Sequence, residues 1–118
     1  MVTTYQYPQY MYALHTSRDT DTPEWVLKGI CREETNGKGQ VIQGVNGNSI
    51  VFSSLIQIPA GTERINEGTE IAVTREEVAP EMLLSDDFVR QSKIYGLIVA
   101  KGKCLKYDFG RLHCRLWI

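Results

Sequence analysis

Ser49-Ile50-Val51-Phe52-Ser53-Ser54-Leu55-Ile56-Gln57-Ile58 is the most regular stretch of the chain and decides its fold class. Ile50, Phe52, Ile56 and Ile58 fall on one face with the small Ser54 between them. Val51, Ser53, Leu55 and Gln57 fall on the other. A period of two marks a β-strand, because successive side chains of an extended backbone point to opposite faces. Pro59-Ala60-Gly61 ends it, since proline has no amide to give a strand ladder.

Working outward, the neighbouring segments read the same way. Asn46-Gly47-Asn48 is a tight turn of the kind hairpins favour, preceded by a short β-prone segment, Gln40 to Val45. Asn36-Gly37-Lys38-Gly39 is an earlier turn. Before it, Trp25 to Glu34 reads as a strand with Trp25, Leu27 and Cys31 on one side and Val26, Lys28, Ile30 and Arg32 on the other. Gly29 interrupts this strand and marks a bulge or a close backbone approach. Arg18-Asp19-Thr20-Asp21-Thr22-Pro23 is a turn cluster. Residues 1–11, with Tyr5, Tyr7 and Tyr10, form an N-terminal arm or an edge strand, and an extended backbone puts Tyr10 and Tyr12 on one face.

Downstream, Gly68 precedes a short strand, Thr69 to Val73, with Ile71 and Val73 inward. Thr74-Arg75-Glu76-Glu77 has the form of a capping box, Thr74 as N-cap and Glu77 at the third helical position. Pro80 argues against a long helix. A short helix within 81–91, with Met82, Leu83, Phe88 and Val89 as its apolar stripe, is expected, and Ser85-Asp86-Asp87 also suits a helix start. Ile94 to Ala100 is an apolar run. Cys104-Leu105-Lys106-Tyr107 and Leu112-His113-Cys114-Arg115-Leu116-Trp117-Ile118 predict a hairpin around Asp108-Phe109-Gly110, with Gly110 supplying φ > 0. In the last strand Leu112, Cys114, Leu116 and Ile118 face one way and Arg111, His113, Arg115 and Trp117 the other. The expected architecture over 1–118 is one mainly β domain. It is a small antiparallel β-barrel or sandwich with one short helix or long loop near residues 75–92.

With 118 residues and 23% charged residues, the chain is an ordinary globular domain, large enough for its own core. A net charge of −1 argues against binding nucleic acid mainly through phosphates. The charges are uneven: residues 63–87 are mostly acidic and those from Lys101 onward mostly basic. Either these are solvated faces, or they are complementary ends at which identical subunits meet. The N-terminus has neither a basic region nor an apolar core, so no signal peptide is expected and the chain reads as cytoplasmic. No apolar run nears the roughly 20 residues that span a bilayer. Cys31, Cys104 and Cys114 lack a CxxC spacing and read as reduced, buried thiols. Cys104 and Cys114 flank the last hairpin and are placed to face one another across it.

No constellation for catalysis stands out. The two histidines are His15 and His113, and no nucleophile elbow or phosphate-binding glycine loop occurs. His113 and Cys114 are adjacent on a strand and point apart, so they are poorly placed to share a metal. Glu76-Glu77 and Asp86-Asp87 read as solvated acids. Neither a cofactor nor a metal nor an enzymatic role is expected. Lys103, Lys106, Tyr107, Phe109, Arg111 and Arg115 interleave basic and aromatic residues on one hairpin, as single-strand-binding barrels do. They carry an alternative reading as an OB-like nucleic-acid-binding module.

The order of features resembles the small β-barrel head–tail connector proteins of tailed phages and prophages (head-closure or stopper and joining proteins). The carrying segments are Tyr12-Ala13-Leu14-His15 and the turn ending at Pro23, then Trp25-Val26-Leu27-Lys28-Gly29-Ile30-Cys31. The polar loop Glu34-Thr35-Asn36-Gly37-Lys38-Gly39, the 49–59 strand and the step Gly68-Thr69-Glu70-Ile71 follow. Segments 95–100 and 112–117 stand where the family has a closing strand pair. The 74–93 stretch is longer than the family's link, and the last hairpin is stronger. The resemblance implies a virion structural protein that assembles as a ring by self-association and meets other phage connector or tail proteins. On that reading Tyr5, Tyr7 and Tyr10 act as a contact arm, and Met82, Leu83, Leu84 and Phe88 as a loop that orders on assembly.

Overall fold

The computed structural model describes residues 3–16, 19, 21–44 and 46–118. Met1 and Val2 of the N-terminus, Arg18 and Thr20 of the polar turn, and Val45 lie outside the described residues. The elements are β1 (Gln9–Thr16), β2 (Pro23–Thr35), β3 (Val41–Gln43), β4 (Ser49–Val51), β5 (Ser54–Pro59), β6 (Glu70–Thr74), a 3₁₀ turn (Pro80–Leu84), α1 (Asp86–Ile94), β7 (Ile98–Lys103), β8 (Lys106–Asp108) and β9 (His113–Trp117). Seven strands form an antiparallel sheet in the order β7-β6-β1-β2-β5-β9-β8, and β3 and β4 form a separate hairpin. The protein is mainly β, as the alternation predicts.

The sheet curls because two long extended stretches serve both of its halves. In β2, residues 23–31 pair with β1 and residues 32–35 pair with β5. At the ends of the order, β7 and β8 are separated in the chain by Cys104 and Leu105 alone. Lys103 lies opposite Glu70 of β6, whereas Lys106 lies opposite Trp117 of β9. The ends therefore meet through the chain rather than through a ladder, giving an open, barrel-like sandwich. Their closeness is visible at Gly102, where an added Cβ would lie 3.5 Å from the Ile118 side chain.

The core has two sides. Met11, Ala13, Cys31, Ile56, Ile58, Ile71, Val73, Tyr107, Cys114 and Leu116 fill the inside of the curl. Tyr10, Tyr12, Trp25, Ala72 and Ile98 form a second cluster on the outer face, covered by Leu83 of the 3₁₀ turn and by Phe88 and Val89 of α1. Tyr10, Met11, Tyr12 and Ala13 thus alternate between the clusters, and β1 is buried on both faces.

Several sequence expectations are corrected here. The pairing of β1 with β2 steps from Met11–Gly29 to Tyr12–Leu27, so the expected bulge is present, with Gly29 at φ 148°. A bulge shifts side-chain parity by one. Trp25, Leu27 and Ile30 consequently share the outer cluster, while Cys31 turns into the inner core rather than siding with Trp25. The 49–58 segment is two strands, because Asn36 cuts it at Phe52 and Ser53. Asn36 Nδ2 donates to the Phe52 carbonyl (2.7 Å) and the Asn36 amide donates to that of Ser53 (2.9 Å). Ser54, Ile56 and Ile58 face inward as expected, but Ile50 leaves with the small hairpin opposite Ile42.

Thr74 does not cap a helix: it ends β6, and its hydroxyl donates to the Glu76 carbonyl. The helix begins at Ser85 instead, whose Oγ accepts from the Phe88 amide. Gly110 is required for space rather than for a positive φ, since a Cβ there would collide with the His113 carbonyl oxygen. Leu112 stays in the turn, 85% exposed, and does not face inward with Cys114. Lys106 lies opposite Trp117 and Asp108 opposite Arg115, so Cys104, which precedes β8, does not oppose Cys114. The apolar run from Ile94 is likewise no single strand. Ile94 ends α1, and β7 pairs with β6 rather than with the last strand.

Candidate functional site

The residues expected at subunit contacts divide into buried and projecting sets. Tyr5 is 96% exposed, but Tyr7 is buried at 8% and Tyr10 belongs to the outer core cluster. Residues 4–7 fold back on the chain: the Tyr7 amide donates to Thr4 Oγ1, and Arg32 donates to the carbonyls of Gln6 (3.1 Å) and Tyr5 (3.3 Å). Tyr7 and Tyr10 are therefore internal packing residues, and of the three tyrosines expected in the arm only Tyr5 projects. In the 3₁₀ turn, Leu83 is buried while Met82 and Leu84 point outward. Phe88 packs against the outer cluster. Sequence reasoning missed Ile94 (73% exposed) and Tyr95 (78% exposed), two further exposed apolar residues at the end of α1.

A groove of about 250 Å³ lies where the 3₁₀ turn crosses the start of β2, lined by Glu24, Trp25, Val26, Leu27, Pro80, Glu81 and Leu84. Local geometry explains it. Pro80 stands in the first turn, where its missing amide costs nothing, and buried Leu83 pins the turn to the outer face. Tyr12 holds the preceding loop: its hydroxyl donates to the Val78 carbonyl and accepts from the Val78 amide, both at 2.8 Å. The exposed charged residues of the groove's own lining are the carboxylates Glu24 and Glu81, and next to it Lys101 Nζ lies 5.7 Å over the ring of the lining residue Trp25.

The basic hairpin is less open than the sequence suggests. Tyr107 is buried and donates its hydroxyl to the Thr62 carbonyl (3.0 Å), and burial pushes that hydroxyl's pKa up. Trp117 is also buried, with Lys106 and Arg115 each 5.5 Å from its ring centre. Lys106 lies 3.9 Å from Asp108. Phe109 is exposed, its ring edge-on to Tyr107 at 5.1 Å. Lys103, Arg111 and Arg115 are exposed. The hairpin thus offers one free aromatic face beside cations, not the run of faces that stacking several bases needs.

Titratable groups elsewhere do not converge. Cys31, Cys104 and Cys114 are free and buried, and burial pushes the Cys31 thiol up to about 12 and that of Cys104 to about 11. High pKa values keep Cys31 and Cys104 as thiols, which are poor nucleophiles. Among the described residues no group of three metal-ligating side chains gathers. Asp87 pairs with Arg90 at 2.6 Å on the exposed face of α1. A second hollow, about 370 Å³, lies beside the 34–40 loop, and the Asn36 amide there is already bonded to Gln40 and Phe52. Among the described residues no helix is long and apolar enough to cross a membrane. Compared with known proteins, the chain matches no family model, no curated protein and no solved structure.

Proposed function

We propose that this chain is a structural protein of a tailed phage or prophage particle, acting in the head–tail connector region and self-associating into a ring. The observation that carries self-association is the surface of the segment 82–95. Leu83, Phe88 and Val89 anchor it to the outer core, while Met82, Leu84, Ile94 and Tyr95 are left facing outward. Burying apolar surface contributes about 25 cal/mol per Å², so such side chains favour association. Placement in the connector region rests on the resemblance in the order of the features before the closing strands, since β7 and β9 do not pair, with other connector or tail proteins as further partners. The role needs no cofactor and no catalytic residue.

Mass spectrometry of purified particles tests the placement. Finding the chain as a stoichiometric component supports it. Finding it abundant in the lysate and absent from the particle would refute it.

The exposed Phe109, in the turn that also carries exposed Arg111 and leads into the strand of exposed Arg115, favours a second reading, contact with single-stranded nucleic acid. Titration with single-stranded DNA separates the two: binding that weakens steeply with added salt favours the second.

A further inference from the structure

We infer that the β8–β9 turn of one copy docks into the groove between β2 and the 3₁₀ turn of the next. This deepens the self-association reading, on which it rests, by naming the two surfaces that meet. The turn presents Phe109, Arg111 and Leu112 as a projecting apolar and basic tip. Gly110 keeps the tip tight, because any side chain there would strike the His113 carbonyl. The groove offers the complement: an apolar floor from Leu27, Pro80 and Leu84 between the exposed carboxylates of Glu24 and Glu81.

Size supports the match. Drug-sized ligands occupy pockets of about 300–1,000 Å³. A groove of about 250 Å³ suits one or two side chains, as an inserted Leu112 with Arg111 at the acidic rim would supply. The occupant is a second copy because the same chain carries both the acidic apolar groove and the basic apolar tip. These are different surfaces, so the contact is heterologous. Where the rotation between copies closes, such a contact makes a ring, whereas a contact between like surfaces stops at a dimer.

Charge exchange on the full chain, read by sedimentation velocity across a concentration series, tests this. Glu81→Arg alone and Arg111→Glu alone should each weaken association about tenfold or more, because each sets like charges face to face. A chain carrying both changes restores opposite charges across the interface and should regain association to within a few-fold of the parent. Both positions are exposed, and unchanged circular dichroism and melting temperature check that each variant folds. Single variants that associate like the parent would overturn the docking while leaving self-association standing. Weakened single variants with no recovery in the double would overturn the pairing of these two surfaces. A parent chain that stays monomeric throughout would overturn both the docking and the self-association reading.

Discussion

Replacing Tyr12 by Phe removes one oxygen and leaves the ring in place. Tyr12 is fully buried in β1, and its hydroxyl holds Val78 through both backbone groups at 2.8 Å, with the Thr74 side chain a further hydrogen-bond partner. Val78 is 66 residues away in sequence, so this one group ties the loop before the 3₁₀ turn to the sheet. Each neutral hydrogen bond contributes about 0.5–1.5 kcal/mol net, giving about 1–3 kcal/mol for the pair. Val78 is only half-buried, so water can reach its freed groups, and the lower half of that range, about 1–2 kcal/mol, is expected. Urea unfolding followed by the fluorescence of Trp25 and Trp117 measures it, at fixed protein concentration because association shifts apparent stability. With a slope of about 1–3 kcal/mol per molar for small domains, the midpoint should fall by several tenths of a molar or more while the slope holds. Hydrogen exchange at the Val78 amide should accelerate in parallel. An unchanged midpoint with unchanged Val78 protection would refute the tethering role and the account of how the groove's wall is held.

Four further outcomes follow from the packing. Ile56→Ala, at a fully buried inner position, should cost about 2–5 kcal/mol in the same unfolding measurement, and a loss below about 1 kcal/mol would mean that the inner core is looser than described. Gly110→Ala should shift the melting temperature downward and disturb the β8–β9 turn in amide NMR spectra, whereas an unperturbed turn would contradict the contact with His113. Deleting residues 1–9 removes buried Tyr7 and the Gln9 side chain that accepts from the Glu33 amide, so about 1.5–3 kcal/mol should be lost from the Tyr7 side chain alone. An unchanged unfolding midpoint would return that segment to the role of a free arm. Stability should also fall in alkali: Cys31 and Cys104 stay protonated in the fold to about 12 and about 11, while unfolded thiols ionise near ~8.5. Above that value the unfolded chain binds fewer protons. The contribution is thus complete below it and lost as pH climbs towards 11–12, and urea midpoints that stay flat across this range would contradict the buried-thiol assignment.

Much of the fold was legible because alternation and turn residues are local signals. The 54–58 half of the opening stretch, the β8–β9 hairpin, the bulge at Gly29 and the buried thiols all follow from neighbours in the chain. What failed depends on distant partners. Nothing near Phe52 announces that Asn36 will take its carbonyl and split the strand, and a one-residue bulge reverses the side on which Cys31 lies. Thr74 and Glu77 satisfy a capping pattern, but the pairing of Thr74 with Tyr10 and Ile98 in neighbouring strands keeps that residue in the sheet. The candidate surfaces were legible in part. Of the expected contact residues, Met82 and Leu84 are exposed, whereas Leu83, Tyr7, Tyr10 and Tyr107 are drawn into the chain's own packing. Ile94 and Tyr95 were hidden inside an apolar run that resembled a strand. The groove itself joins residues more than fifty positions apart, and no local pattern encodes that juxtaposition.

Native mass spectrometry of the purified 118-residue chain, recorded over a range of concentrations, tests self-association most directly. The account predicts one discrete multimer that grows at the expense of the monomer as concentration rises. A monomer at every concentration would contradict it.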